Sequence, residues 1–497
     1  MNMSTRKTTN DNRIALYVAI GKIMAMLAQF IMPLFLTRYL TKQDYGLYSQ
    51  FYLIFGFLLS ILGMGIPSSL YFFYPKSSDQ EKNSLVWGTY LMLIIVGMIG
   101  CGVFMIPQVS HYIINNESLE HYVLLISACV FLAMPSLMVD PLSVVRKDKL
   151  LAVFYHPLEI VCKIILVVVF ALLFNSLTAI FHGVLILQFI LFLLTFVYLI
   201  YHFRFSVGGI SFDLLKKQIA YSLPFGIAVI MNTFAGRFDK LISISYLTAE
   251  EYATYSIAFF GVPGIMQIYD SLCQVNVTNM AKLYKENNMG GVLLEYKSFV
   301  VKTLSFSLPV IFIAFVYSPQ IIELLFSSKY LDSVPFFRIY ILTFILGMFG
   351  SGTILRAINR TKLSMKAYLI SVLITIPLTI ILVKYYGIWG AICAAVISTI
   401  IPKLIQIAFE IRCVNSSISE YFPWMTMMRL LLISLLCLVP VILLNSFVDI
   451  NILFAILISV AYVVFVYALY IKHDIFIIDL DIIKAHYQKF LSKLRGK

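Results

Sequence analysis

The sequence predicts an all-α, polytopic membrane protein of about fourteen transmembrane helices, in two six-helix lobes related by an internal repeat plus two extra C-terminal helices. Three observations point there. Hydrophobic residues make up 61% of the 497 and charged residues only 12%, about half the charge of a soluble globular chain. Apolar runs of about 20 residues, the length that crosses the hydrocarbon core as a helix, recur along the chain. Finally, an eleven-residue segment, Tyr39-Leu-Thr-Lys-Gln-Asp-Tyr-Gly-Leu-Tyr-Ser49, returns 207 positions later as Tyr246-Leu-Thr-Ala-Glu-Glu-Tyr-Ala-Thr-Tyr-Ser256. Six of its positions are identical and Asp44 is matched by Glu251, which argues for duplication. A second echo, Lys147-Asp-Lys-Leu150 against Arg360-Thr-Lys-Leu363, has nearly the same offset.

The expected spans are 14 to 36, 46 to 66, 85 to 106, 121 to 140, 155 to 175, 179 to 201, 219 to 246, 252 to 274, 299 to 318, 335 to 356, 366 to 384, 388 to 411, 426 to 446 and 450 to 471. The first follows Arg6, Lys7 and Arg13 but is too long for a secretory signal and lacks a clear small-residue cleavage site. With the N-terminus inside and residues at the very ends of spans counted with the adjoining loop, 25 of the 37 Lys and Arg fall on the cytoplasmic side, 4 outside (Arg38, Lys42, Lys329, Lys384) and 8 within spans. Cytoplasmic loops retain basic residues, so both termini are expected in the cytoplasm. The net charge of +13 then suits anionic lipid headgroups and implies no nucleic-acid partner.

Six spans per repeat is an even number, so the halves should be related by an axis along the membrane normal, with substrate handled between them. The N-lobe is expected over 1 to 210, the C-lobe over 211 to 412 and two further spans over 413 to 471. A cytoplasmic tail over 472 to 497 carries Ile483, Tyr487, Phe490 and Leu494 at helical spacing among Lys484, Lys489, Lys493 and Arg495. That pattern suits a helix lying on the membrane surface. Prolines in or beside spans, Pro33 above all, suit static kinks or hinges.

Enzyme constellations are lacking: there is no G-x-x-x-x-G-K-S/T loop, H-E-x-x-H or G-x-S-x-G. The seven histidines are dispersed, and the seven cysteines form no C-x-x-C pair, so no catalyst, cofactor, disulfide frame or metal site is expected. Outer loops are short, the longest about 107 to 120 and 319 to 334, too small for a folded catalytic domain.

Charge inside the membrane is costly unless it faces a cavity or a partner, so it marks function. Lys22, Lys163, Arg237, Lys240 and Lys403 are the candidate substrate-binding cations, and Asp140, Glu159, Asp239 and Asp270 the candidate ion-coupling acids. Glu159 and Lys163 are four apart and are expected to pair. Arg237 and Lys240 share a helical face from which Asp239 is rotated, so they need an anion from elsewhere: Asp140, Asp270, or a phosphate or pyrophosphate. The repeat motif is expected to pack structurally, its Gly or Ala placed where the chain turns between spans.

Tyr39-Leu-x5-Tyr-Gly-x-Tyr48, Leu223-Pro224 followed by Arg237-x-Asp239 and Glu251-Tyr-x-x-Tyr255, and Asn359-Arg-x-Lys362 followed by Tyr386-Gly-Ile-Trp-Gly-Ala391 carry a resemblance. Over about residues 1 to 412 the chain resembles the polysaccharide-transport branch, including O-antigen flippases, of the multidrug/oligosaccharidyl-lipid/polysaccharide (MOP) exporter superfamily. The resemblance implies two lobes that move an undecaprenyl-pyrophosphate-linked oligosaccharide across the bacterial cytoplasmic membrane by alternating access. It implies no cofactor and no enzyme activity, membrane lipids as surroundings and polysaccharide polymerase machinery as an associate. Ala253 stands where a glycine would be usual. Two other readings compete. A cation-coupled small-molecule exporter of the same superfamily would favour unpaired carboxylates over cations, and a membrane-embedded polymerase or ligase would need larger, more reactive outer loops.

Overall fold

The described residues, 31–114, 116–146, 148–204, 211–261, 265–447 and 451–473 of a computed structural model, contain helices and no strand. We number the helices of ten residues or more. They are α1 (Lys42–Gly63), α2 (Asp79–Phe104), α3 (Val123–Ala133), α4 (Lys149–Phe174), α5 (Leu177–His202), α6 (Phe212–Tyr246), α7 (Ala249–Ala258), α8 (Ile265–Lys285), α9 (Met289–Val316), α10 (Val334–Gly347), α11 (Thr361–Val414), α12 (Trp424–Phe447) and α13 (Ile452–Lys472). Lys22, most of the first expected span, part of the interlobe link and the surface tail lie outside the described residues.

Local chemistry sets the helix ends. Ser78 opens α2 with a capping box to Glu81, and Asp148, Ser176 and Ser211 accept N-terminal amides of α4, α5 and α6, each satisfying an otherwise orphaned donor. Asn175 and Asn415 close α4 and α11 in the left-handed conformation, which asparagine tolerates better than most residues.

Ten helical segments among the described residues are long and apolar enough to cross a membrane. The chain is a polytopic all-α membrane protein. One of the expected spans differs from what forms. The eighth, expected over 252 to 274, is divided between α7 and α8. The eleventh and twelfth form as two separate arms of α11, which reverses between them at Gly387 (φ 54°, ψ −131°), a conformation open to glycine at little cost. A Cβ on Gly390 would collide with the Leu382 carbonyl. Residues eight apart on a straight helix are separated by about 12 Å, so that contact requires the reversal.

The chain packs as two units. The first lies within Met1–Ile257, Leu325–Tyr330 and Ile376–Ala394, the second within Ala258–Leu324, Leu331–Thr375 and Ala395–Lys497. Helix α6 lies along the first unit. Gly226 brings its backbone against the Met64 carbonyl, closer than a Cβ would allow. The Gln218 amide, fully buried, donates to Ser69 Oγ (2.6 Å) and Thr89 Oγ1 (2.7 Å). In the second unit, Glu410 is fully buried and accepts from the Ile354 and Leu355 amides (2.8 and 3.3 Å) and the Tyr421 hydroxyl (2.9 Å).

Candidate functional site: cations against one face of α1

The repeated segment builds the first layer of the site. In both copies its threonine caps the helix that follows: Thr41 Oγ1 accepts the Asp44 amide of α1 (3.1 Å), and Thr248 Oγ1 accepts the Glu251 amide of α7 (3.2 Å). The Glu251 carboxylate accepts from the Thr248 amide in return (2.9 Å), completing a capping box. The Asp or Glu shared by the copies is therefore a helix-start residue. The glycine is not in a turn, contrary to expectation. Gly46 is buried inside α1, where a Cβ would collide with the Ala249 carbonyl of α7, so the residue permits a close helix crossing. Ala253, its counterpart in α7, is fully buried. The equivalent residues Ser49 and Ser256 meet, their hydroxyl oxygens 3.5 Å apart.

The face of α1 that bears Gly46 and Ser49 continues through Tyr52 to Gly56. Lys163 Nζ of α4 lies 3.9 Å from the centre of the Tyr52 ring, a cation–π contact strengthened where water is excluded. The Arg237 guanidinium of α6 rests on Gly56, 2.8 Å from where a Cβ would stand. Tyr52 and Gly56 are one helical turn apart, so α1 brings a cation from α4 and a cation from α6 onto adjacent turns of one face. Neither α1 residue stood out in the sequence. The available signal was a Gly, Ser and Tyr spacing of three to four residues downstream of the repeat.

The expected Glu159–Lys163 pair does not form. His156, discounted as one of the dispersed histidines, intervenes. Its Nε2 is 2.8 Å from Asp140 Oδ1 and its Nδ1 3.3 Å from Glu159 Oε2. Carboxylates only accept, so both contacts are hydrogen bonds when both ring nitrogens carry protons. His156 and Glu159 lie on one face of α4, which turns Glu159 toward the histidine. Asp239 is likewise engaged, accepting from the Tyr255 hydroxyl of α7 (2.8 Å). A tyrosine of the second motif copy thereby draws the acid toward α7.

No carboxylate oxygen lies within 4.0 Å of Lys163, Arg237 or Lys240 among the described residues, where the ion pairs found join other groups. Asp140, weighed as a partner for Arg237 and Lys240, is instead beside His156. In the second unit, Lys403 of α11 is half-buried against Gly347 of α10, and Asp270 of α8 is exposed. Lys163 and Arg237 are both half-buried against the α1 face, and neither forms an ion pair among the described residues.

An all-α fold of this kind is shared with solved MOP-superfamily proteins. The lipid II flippase MurJ in an inward closed conformation superposes with a TM-score of 0.69 at 17% identity, over 93% of this chain and 100% of that one. A multidrug resistance MATE family transporter in an inward-facing conformation gives 0.58 at 14% identity over 81% and 98%. A MOP-superfamily transporter from Pyrococcus furiosus gives 0.53 at 14% identity over 81% and 95%. The fold is thus that of MOP flippases and transporters. No match is found among curated protein sequences. The family model for polysaccharide biosynthesis proteins matches residues 35–335, three-fifths of the chain, and the protein belongs to that family.

Proposed function

We propose that the protein is a flippase that moves polyprenyl-pyrophosphate-linked oligosaccharides across the bacterial cytoplasmic membrane for surface polysaccharide assembly. It acts by alternating access, without catalysing a covalent step. The observation that carries this reading is the placement of Lys163 and Arg237 against adjacent turns of α1 with no carboxylate oxygen within 4.0 Å of either among the described residues. Two cations there suit the two phosphates of such a carrier, while the surrounding tyrosines offer hydroxyls and ring faces to the first sugars. Family membership supplies the polysaccharide setting, and the MOP fold supplies a precedent for moving amphipathic cargo. In this reading both termini are cytoplasmic, following the distribution of Lys and Arg, and Lys22, Lys240 and Lys403 remain further candidate substrate-binding cations. Asp140, Glu159, Asp239 and Asp270 remain the candidates for a coupling ion.

The test joins a gene deletion with site variants. Deletion should remove surface glycan and leave lipid-linked intermediates on the cytoplasmic leaflet. The Arg237→Ala/Lys240→Ala double variant should reproduce that loss at a normal level of protein in the membrane. Full glycan display by the double variant would remove the cationic site from the mechanism. Unchanged glycan in the deletion strain with altered sensitivity to toxic cations would support the small-molecule exporter.

A further inference from the structure

His156, Glu159 and Lys163 follow one another on α4 at spacings of three and four residues, which puts them on one stripe of the helix within about 10 Å of its length. A glutamate four residues before a lysine is the favourable order for an ion pair on a helix. Lys163 nevertheless lies over the Tyr52 ring of α1, 3.9 Å from its centre, with no carboxylate oxygen within 4.0 Å among the described residues.

The cause sits one turn earlier. His156 Nδ1 is 3.3 Å from Glu159 Oε2. On the other side of the ring, Nε2 is 2.8 Å from Oδ1 of Asp140, on the short helix Val139–Arg146. A carboxylate on one ring nitrogen fixes what the other nitrogen can do, so Asp140 aims Nδ1 at Glu159. With both nitrogens protonated, the ring donates to both acids. All three side chains are partly exposed. Packing therefore does not lock Glu159 in place, and its direction follows from the contact with His156.

We propose that His156 is a positioning residue for anion binding: oriented by Asp140, it holds Glu159 away from Lys163 and keeps the lysine open to a phosphate. The inference rests on the cationic site proposed above. It gives Asp140 and Glu159 a task whether or not either carries a coupling ion. Without the histidine, Glu159 turns along α4 to Lys163, where its carboxylate competes with the ligand's phosphate oxygens for the same ammonium. The histidine touches no ligand in this scheme and acts through Glu159 alone.

Calorimetric titration of farnesyl pyrophosphate, two phosphates on a short prenyl chain, into the full-length protein in detergent reads the effect without transport. His156→Ala should weaken binding about fivefold, the upper end for a partly exposed ion pair. His156→Ala/Glu159→Gln, which removes the competing charge, should restore the affinity of the wild type. A merely structural histidine would leave the double variant as weak as the single one, and that result would overturn the proposal. His156→Asn loses the ring's charge but places an amide N–H near the position of Nδ1, so it should bind nearer to the wild type than His156→Ala does. Equal weakness of the two would also overturn the proposal, since only the field of a positive charge would then be at work. Lys163→Ala and Arg237→Ala separate the two levels of the argument. If neither weakens binding, the cationic site falls and the positioning role with it; if both do while His156→Ala binds as the wild type, the positioning role alone falls.

Discussion

Glu410 shows how a buried acid becomes structural. Its two oxygens take two amides at the start of the short Thr353–Ala357 helix and the Tyr421 hydroxyl, so the side chain joins three segments of the second unit. Glu410→Ala should orphan all three donors and destabilise the protein by about 3 kcal/mol. Glu410→Gln retains an oxygen acceptor and should recover at least half of the loss. Thermal unfolding in detergent reads both, and equal midpoints for the two variants would sink the account. Lys163, Arg237 and Lys240 present the opposite case, cations with no carboxylate oxygen within 4.0 Å among the described residues. Their residue types and membrane depth were legible in the sequence, because charge in an apolar run stands out. Their partners were not: Tyr52 and Gly56 come from another helix, and His156 takes the acid that helical spacing would have given to Lys163.

At the scale of elements, the repeated segment is a pair of capped helix starts that cross. The caps were readable from Thr-x-x-Asp and Thr-x-x-Glu, since capping is local chemistry. The crossing was not, since Gly46 is distinguished only by the Ala249 carbonyl that faces it from 203 positions away. The obstacle is backbone, so Gly46→Ala should force α1 and α7 apart at a cost of about 1 to 3 kcal/mol. Ala253→Gly at the equivalent position removes a buried methyl from a helix and should cost about 0.5 to 1 kcal/mol. Comparing the stability of these two variants checks the assignment, and a neutral Gly46→Ala would show that the crossing can relax. The expected pair of spans over 366 to 411 likewise exists as two arms, with Gly387 supplying a backbone conformation that L-residues rarely adopt.

For the molecule as a whole, the contact between Ser49 and Ser256 offers a test of alternating access. If transport separates the two copies of the repeat, this contact opens once per cycle. The 3.5 Å separation of the hydroxyls puts cysteines at both positions within reach of a disulfide. In a background without the seven native cysteines, oxidation of Ser49→Cys/Ser256→Cys should stop glycan export, and reductant should restore it. Undiminished export by fully cross-linked protein would make the contact a permanent part of the first unit.

Composition and hydropathy determined by themselves that this is an all-α, multi-pass membrane protein, because lipid leaves the backbone of a spanning segment little choice except to satisfy its own hydrogen bonds as a helix. Motifs along the chain also pointed to its family, and the apolar runs marked most of the helices. Tertiary structure alone decided which charges have a hydrogen-bonding partner and which do not, and that α6 packs with the first unit. Those outcomes depend on which side chains meet across helices far apart in sequence, and neither hydropathy nor helical periodicity encodes that register.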